Sequence, residues 1–428
     1  MKVLLASLAI DGHFNPLTGI GKRLQANGHD VAWYTGSRYE SKLDELGIPH
    51  FPFRRAVQHT PENLNELYPE RAVLKGPRAA SFDGEKVFAS NVGNFFDDIR
   101  DIRVDFPFDV LLEDGAVYIQ RLVTEILGVP VVSVIAINNM QRDPVMPPLF
   151  FGLKPATGPL GRLRDRALKV VSDKLVAGPA QRLYTRILAD YGLTLGPDNL
   201  FTDEPYAVSA AVVQSGTLSF EYPRSIANPT VHYVGPLLPY RGSQSQPLTF
   251  ADKLGRNSRT VLVTQGTVDN KDPSKLIVPT IEALKGTDTL IVAATGSSGT
   301  AELRSRYPGD NVVIEDYIDF DAALKHADVY VTNGGFGGVM LSLANGVPLV
   351  CAGITEGKND VNAHVDYHRV GIDLRTDKPK PESIRRAVDR VCTEPEWKAR
   401  AQAYQAEIRR LDPPAVVEQL VRDLVPAH

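Results

Sequence analysis

A glycine-rich turn late in the sequence places the strongest constraint on how this 428-residue chain folds. The turn, residues 333–338, has the sequence Asn-Gly-Gly-Phe-Gly-Gly, and it stands between an apolar run typical of a buried strand and one typical of a helix. Such a turn lets backbone N–H groups approach an anion closely, and the helix N-terminus adds partial positive charge. The spacing matches neither the dinucleotide-binding fingerprint nor a P-loop. The sequence therefore predicts a phosphorylated ligand bound by the second half of the chain.

The composition is that of a globular enzyme. Hydrophobic residues make up 43% and charged residues 23%, and the length predicts two or three domains. A formal net charge of -4 gives no electrostatic basis for binding nucleic acid or an anionic membrane surface. No stable membrane insertion is expected either, because no run approaches the roughly 20 apolar residues of a membrane span. The apolar run at residues 3–10 reads as a buried first strand, because it is too short for a signal peptide or a membrane span. Two cysteines, Cys351 and Cys392, suit a reducing compartment, so we expect a cytoplasmic protein.

Strands and helices alternate in both halves, which predicts an α/β fold with two doubly wound, Rossmann-like sheets. The strand at 3–9 leads into a helix for which Pro16 suits the first position. Residues 54–105 and 138–200 read as helical insertions around a cleft between the two domains. The pattern gives a first domain at 1–238, a breaker-rich linker at 239–255, a second domain at 256–410 and a C-terminal helix at 411–428, which is a candidate to cross back to the first domain.

Two titratable residues follow strands of the first half. His13 comes after the first strand, and Asp114 comes after the apolar run at 108–112. Imidazole suits a general base near neutral pH, and a carboxylate beside it holds the ring in one tautomer. If the two strands are neighbours, the pair forms such a base at the edge of the sheet where ligands bind. The alternative is a solvated loop histidine and a turn aspartate.

Four motifs together resemble the bacterial UDP-glycosyltransferase family, over nearly the whole length. They are Gly12-His13-Phe14-Asn15-Pro16, Asp114 fourteen positions before Gly128-Val129-Pro130, Val263-Thr264-Gln265-Gly266-Thr267 and the glycine turn. This family includes the antibiotic, macrolide and flavonoid glucosyltransferases, and it is related to the plant and animal UDP-sugar transferases. The resemblance implies the GT-B fold, in which two Rossmann-like domains face each other across a cleft.

The resemblance also implies the chemistry. His13 would deprotonate an acceptor hydroxyl, which would displace the nucleoside diphosphate in one inverting step. Asp114 rather than Glu113 is the match by spacing, and alternation along a strand sends these neighbours to opposite faces. Apart from the co-substrate, UDP-glucose or another UDP- or dTDP-sugar, no cofactor is expected. No metal is expected either, because no carboxylate pair stands near the glycine turn and the His364–His368 pair lacks the His-Glu-x-x-His pattern.

Donor-binding positions carry over one by one. Tyr317 would stack on the base and Ile318 would contact it through its backbone, although Tyr317 also suits an ordinary core aromatic. Glu356 is the best candidate for the sugar hydroxyls, with Lys358 and Asn359 beside it. The diphosphate would be held by a set of hydroxyl, amide and backbone groups: Thr267, Asn333, Gly335, Gly337, Gly338 and Val339.

Three positions depart from the family pattern. Asn333 stands where many relatives have a phosphate-binding histidine, so the amide brings hydrogen bonds without charge. Leu341 stands where many relatives have a carboxylate for the ribose hydroxyls, which leaves the choice between UDP- and dTDP-sugars open. Gly338 replaces a small hydroxyl residue. The acceptor is predicted to be a small hydrophobic or phenolic molecule, and the apolar residues that line its pocket, or merely pack the insertions, include Phe14, Phe53, Met140, Met146, Phe150 and Phe151.

Two rival functions fit the same scaffold. A nucleotide-sugar epimerase would need acid and base groups around the sugar and no apolar acceptor pocket. A catalytically inactive, glycosyltransferase-like activating partner would have lost His13 or Asp114, and both are present.

Overall fold

The computed structural model describes residues 1–196, 199–242, 247–266 and 271–425. The chain divides into two compact units. The first unit comprises Met1–Pro148, Pro155–Tyr240 and Asp412–His428, and the second comprises Leu149–Lys154 and Arg241–Leu411. The segment Leu149–Lys154 thus belongs to the second unit, although the sequence placed it in the first domain.

The first unit is built on a seven-stranded parallel sheet with the order β3-β2-β1-β4-β5-β6-β7. Its strands are β1 (Lys2–Ala6), β2 (Asp30–Thr35), β3 (His50–Pro52), β4 (Val110–Asp114), β5 (Val131–Ile135), β6 (Ala211–Ser215) and β7 (Val231–Gly235). The five inner strands are largely apolar and almost entirely buried, as expected where helices cover a parallel sheet on both sides, whereas the edge strands β3 and β7 are only partly buried.

The second unit is built on a six-stranded parallel sheet with the order β10-β9-β8-β11-β12-β13. In both sheets the order reverses between the first and fourth strands, and that reversal creates the crevice where such folds bind ligands. The strands are β8 (Arg259–Thr264), β9 (Thr289–Ala294), β10 (Val312–Glu315), β11 (Val329–Thr332), β12 (Leu349–Cys351) and β13 (Gly371–Asp373). The predicted doubly wound α/β architecture is confirmed.

Most of the helices lie between successive strands, and the last three follow the final strand, β13. In chain order they are α1 (Asp11–Ala26), α2 (Glu40–Leu46), α3 (Leu64–Leu67), α4 (Pro77–Asp83), α5 (Val92–Asp105), α6 (Gln120–Leu122), α7 (Pro159–Val171), α8 (Gly178–Asp190), α9 (Glu204–Val208), α10 (Ile277–Leu284), α11 (Thr300–Arg306), α12 (Phe320–Leu324), α13 (Phe336–Ala344), α14 (Lys358–Tyr367), α15 (Pro381–Thr393), α16 (Pro395–Ile408) and α17 (Pro413–Leu424). None of the helices in the described ranges is both long and apolar enough to cross a membrane.

Two expectations about helices were wrong. Helix α1 begins at Asp11 rather than at Pro16, so Pro16 lies inside the helix, where it removes one intrahelical hydrogen bond. Residues 54–105 are not only an insertion, because α5 is a true crossover helix. Phe95, Phe96 and Ile99 of α5 are buried in the core on one face of the first sheet.

The other face of the first sheet is covered by α1 together with the last helix of the chain. Leu17 and Ile20 of α1 share a buried cluster with Val417 and Val421 of α17. Glu418 of α17 completes this contact with polar bonds to α1 and to the residue that follows it. The C-terminal helix is therefore an integral part of the first core.

Candidate active site

His13 and Asp114 meet at the point where the strand order of the first sheet reverses. His13 lies in the first turn of α1, directly after β1, and Asp114 is the last residue of β4, which pairs with β1. The His13 Nδ1 and Asp114 Oδ2 atoms are 2.7 Å apart. Because the carboxyl ends of parallel strands share one edge of the sheet, the two residues meet although they are about a hundred positions apart in the chain.

The environment of this pair suits a base. The His13 side chain is 27% exposed and that of Asp114 is 6% exposed, so the carboxylate lies behind the ring. The Ala116 backbone N–H donates to the other oxygen of Asp114, at 3.3 Å. Burial lowers the pKa of His13, but the charge of Asp114 and its hydrogen bond raise it, and the net pKa is above the usual value. When Asp114 is a carboxylate, the N–H at Nδ1 of His13 donates a hydrogen bond to it. The lone pair of Nε2 then remains to accept a proton.

Glu113 lies on the opposite side of the same strand. Its buried carboxyl accepts hydrogen bonds from the Ser133 hydroxyl, at 2.8 Å, and from the Gln120 side-chain amide. Burial raises the pKa of Glu113 well above its usual value. The alternation along β4 thus directs Asp114, and not Glu113, toward His13.

The predicted acceptor residues lie in different surroundings. Phe14 is fully buried between Trp33 and Tyr39, with ring centroids 4.5 Å and 3.9 Å away, so it packs the core. Met146 is buried, and Met140 packs against a small apolar cluster near β5. Phe150 lies in the second unit, where its backbone N–H donates to Asp360.

A small, mainly apolar cavity with room for about one water molecule lies beside the chain between β1 and α1. Its wall includes Ile10, whose carbonyl accepts the His13 backbone N–H at 2.9 Å. Two polar residues, His59 and Asn91, line it as well, and their side chains are 3.3 Å apart. Sequence reasoning did not assign these two residues to a site. The remaining wall is apolar: Leu8, Ala9, Phe53, Val57, Val87 and Phe95.

The glycine turn lies at the corresponding reversal point of the second sheet, after β11 and before α13. Gly334 has a φ of +86°, and Gly335 is the N-cap of the helix. Val339 donates its N–H to the Gly335 carbonyl at 3.0 Å, which corrects the prediction that Val339 offers this group to a diphosphate. The first-turn N–H groups at Phe336, Gly337 and Gly338 have no i−4 carbonyl inside the helix. N–H groups in this position at a helix N-terminus can bind an anion.

Asn333 fixes this turn to the end of β8. One of its amide protons goes to the Gln265 carbonyl, and its oxygen is 3.4 Å from the Gly335 nitrogen. Thr267, the predicted hydroxyl contact, lies outside the described residues.

Tyr317 lies on the connection between β10 and α12 and is 75% exposed, so the core-aromatic alternative is wrong. The residues around Tyr317 and Ile318 are anchored. Asp316 accepts from the Thr300 hydroxyl at 2.5 Å, and Asp319 caps α12 through the N–H groups of Asp321 and Ala322. The exposed ring therefore projects from a connection that is held at both ends.

The predicted sugar loop follows β12. Glu356 is exposed and has a φ of +56°, an uncommon value for a residue with a side chain. Its carboxylate pairs with the Lys358 ammonium at 2.5 Å. The Asn359 amide donates to the Phe150 carbonyl at 2.7 Å, so part of its hydrogen-bonding capacity is already used.

Comparisons with known proteins agree with one another. Residues 279–424 match the family described as "Erythromycin biosynthesis protein CIII-like, C-terminal domain". The chain is 33% identical over 425 residues to 4'-demethylrebeccamycin synthase of Lentzea aerocolonigenes, with 99% of each chain covered. It is 29% identical over 432 residues to UDP-glycosyltransferase 2 of Phaeomoniella chlamydospora, with 96% of this chain and 92% of that protein covered. The crystal structure of CalG4, the calicheamicin glycosyltransferase, has the same fold, with a TM-score of 0.77, 20% identity and coverage of 99% and 98%.

Proposed function

Because this chain belongs to the UDP-glycosyltransferase family and is a nucleotide-sugar-dependent glycosyltransferase with the GT-B fold, we propose a specific reaction for it. The enzyme moves a hexose, with glucose as the first candidate, from a UDP- or dTDP-sugar to a hydroxyl of a small hydrophobic or phenolic acceptor. The anomeric configuration inverts, and no metal takes part.

The 2.7 Å contact between His13 and Asp114 carries this proposal. The acceptor hydroxyl gives its proton to Nε2 of His13 while its oxygen attacks the anomeric carbon. The bond between that carbon and the diphosphate oxygen breaks, and the nucleoside diphosphate leaves. Asp114 stabilises the imidazolium that forms, as a carboxylate does in hydrolytic triads, but here the substrate itself is the nucleophile.

The first turn of α13 supports the second half of the reaction. Negative charge builds up on the diphosphate as the glycosidic bond breaks, and preorganised N–H groups stabilise such charge without rearranging. The N–H groups of Phe336, Gly337 and Gly338, with the dipole of α13, supply this stabilisation. Tyr317 stacks on the base, and Glu356 accepts hydrogen bonds from sugar hydroxyls.

The cavity beside the β1–α1 connection favours an apolar acceptor. Its wall is hydrophobic except for His59 and Asn91, and ligand pockets of this kind orient an apolar body through a few polar groups. The cavity has room for about one water molecule, so we propose that it forms only one edge of the acceptor site.

Product formation from two donors tests the reaction. The enzyme is incubated in EDTA with UDP-glucose or dTDP-glucose and a panel of phenolic aglycones, with His13→Ala beside it. Glycoside formed by the wild type and lost in the variant supports the proposal, and NMR of the anomeric proton gives the configuration. Conversion of UDP-glucose to UDP-galactose without acceptor would instead indicate the epimerase, and failure to bind any nucleotide would indicate the inactive partner.

A further inference from the structure

The diphosphate-binding turn rests on a second asparagine, Asn362 of α14, which the sequence did not single out. The residue is fully buried. Its amide nitrogen is 2.9 Å from the Gly353 carbonyl oxygen and 3.5 Å from the Asn333 carbonyl oxygen. Because both acceptors are carbonyls, they require the NH2 group and thereby fix the orientation of the amide.

This orientation directs the Asn362 oxygen at Gly334. A Cβ built on Gly334 would overlap the Asn362 amide, so the Hα in that direction points at Oδ1 instead. No hydrogen-bond donor reaches Oδ1 from the described part of the chain. Glycine is thus needed at 334 for two reasons, its φ of +86° and the space that Asn362 occupies.

Close backbone contacts extend this arrangement to the sugar loop. A Cβ on Gly353 would overlap the Asn333 carbonyl, so the backbone of the β12–α14 connection packs directly against the backbone of the glycine turn. On the far side, Asn333 bonds to the Gln265 carbonyl, and the Gln265 side chain accepts the N–H groups of Leu276 and Ile277 at 3.0 Å and 3.1 Å. The turn is therefore held between two anchored segments.

We propose that Asn362 is a positioning residue for the donor: it sets the distance between the diphosphate-binding turn and the loop that carries Glu356. The inference rests on the proposed function, because it concerns the same nucleotide site. Asn362 is too deeply buried to contact the ligand, so it acts through the backbone of Gly334 and Gly353. A displaced turn misaligns its N–H groups toward the diphosphate but leaves base stacking intact.

Titration calorimetry with UDP, dTDP, uridine and thymidine tests this role. For the nucleotide that the wild type binds, Asn362→Ala and Asn362→Asp should raise Kd at least tenfold, while Kd of the matching nucleoside stays within twofold. Asn362→Asp retains the side-chain shape but lacks the NH2 group, so its nucleotide affinity tests the proposal even if the alanine variant fails to fold. The matched control is Asn345→Ala, which also removes two amide hydrogen bonds, to Asp321 and Leu341, at the other end of α13. Its nucleotide affinity should not change.

A double-mutant cycle provides a second reading. Gly334→Ala forces a methyl group into the Asn362 amide, and Asn362→Ala removes that overlap. The double variant should therefore bind UDP or dTDP no more weakly than Gly334→Ala alone. Additive losses, or equal losses for nucleotide and nucleoside, would overturn the positioning role while leaving the proposed function standing. If the wild type binds neither nucleotide, both proposals are overturned.

Discussion

The two units use the same topological position for opposite kinds of chemistry. In each sheet the order reverses between the first and fourth strands, and in each the chain turns there into a helix. In the first unit this position presents side chains, His13 at the start of α1 and Asp114 at the end of β4. In the second unit it presents backbone, the N–H groups at the start of α13.

Under the proposed function, the difference follows from what each ligand requires. A proton can be accepted only by a group with a suitable pKa, which the backbone lacks. A diphosphate needs several donors at close range, and side chains in the turn would keep it at a distance. The fold therefore determines where a ligand binds, and the residues at the turn determine what happens to it.

The largest effect should come from removing the base. His13→Ala should lower kcat by about a thousandfold, since general-base catalysis contributes about 10²–10⁴. Kd for UDP or dTDP should remain within twofold, because His13 belongs to the other unit. Steady-state kinetics and calorimetry measure the two quantities. Retained kcat would show that His13 is not the general base.

Asp114→Asn should lower kcat by about a hundredfold, because it reverses the tautomer of His13 and leaves Nε2 unable to accept a proton. The Ala116 N–H retains the amide oxygen, so the amide NH2 faces Nδ1 of His13 and the proton moves to Nε2. Asp114 raises the pKa of His13 and burial lowers it, so the pKa of His13 should fall in the variant. As the pH decreases, the residual activity should therefore be lost at a lower pH than in the wild type. A pH profile of kcat/KM that does not shift would contradict the pairing.

Gly337→Ala tests whether the backbone at the start of α13 binds the diphosphate, and Gly12→Ala in α1 is the matched control. Both glycines are the second residue of their helices, and a Cβ on either meets nothing within 4 Å. Alanine should raise the free energy of unfolding by about 0.5–1 kcal/mol in both cases. Only Gly337→Ala should weaken UDP or dTDP binding, by about tenfold. Equal nucleotide affinity in the two variants, measured by calorimetry beside thermal unfolding, would argue against anion binding at α13.

The smallest effect concerns nucleotide choice. Leu341 is half-buried on α13. The family resemblance implies a ribose-binding carboxylate at this position. Leu341→Glu should raise the preference for UDP over dTDP about fivefold, since dTDP lacks the 2′-hydroxyl and one hydrogen bond contributes about 1 kcal/mol. Competition between UDP and dTDP measures the ratio. Leu341→Gln is the uncharged control, and an unchanged ratio in both would remove this position from ribose recognition.

The sequence predicted the features that depend on local pattern. Buried parallel strands are apolar runs, and the glycine turn and His13 follow such runs, so both reversal points could be located. The start of α1 was missed because Ile10, at its N-cap, has an apolar side chain that gives no capping signal, whereas Pro16 gives a false one. Asn362 and Phe150 were missed or misplaced because their roles depend on contacts with residues far away in the chain.

The path of the chain between the units has a consequence for biosynthesis. The first core needs α17, which is translated after the second unit, and the apolar side of α1 that it covers includes Leu17 and Ile20. Throughout translation of the second unit this surface lacks its partner, so the first unit reaches its final stability only after α17 has emerged from the ribosome. Cutting the chain near residue 411 should therefore yield a first unit prone to aggregation, even though every residue of its sheet is present.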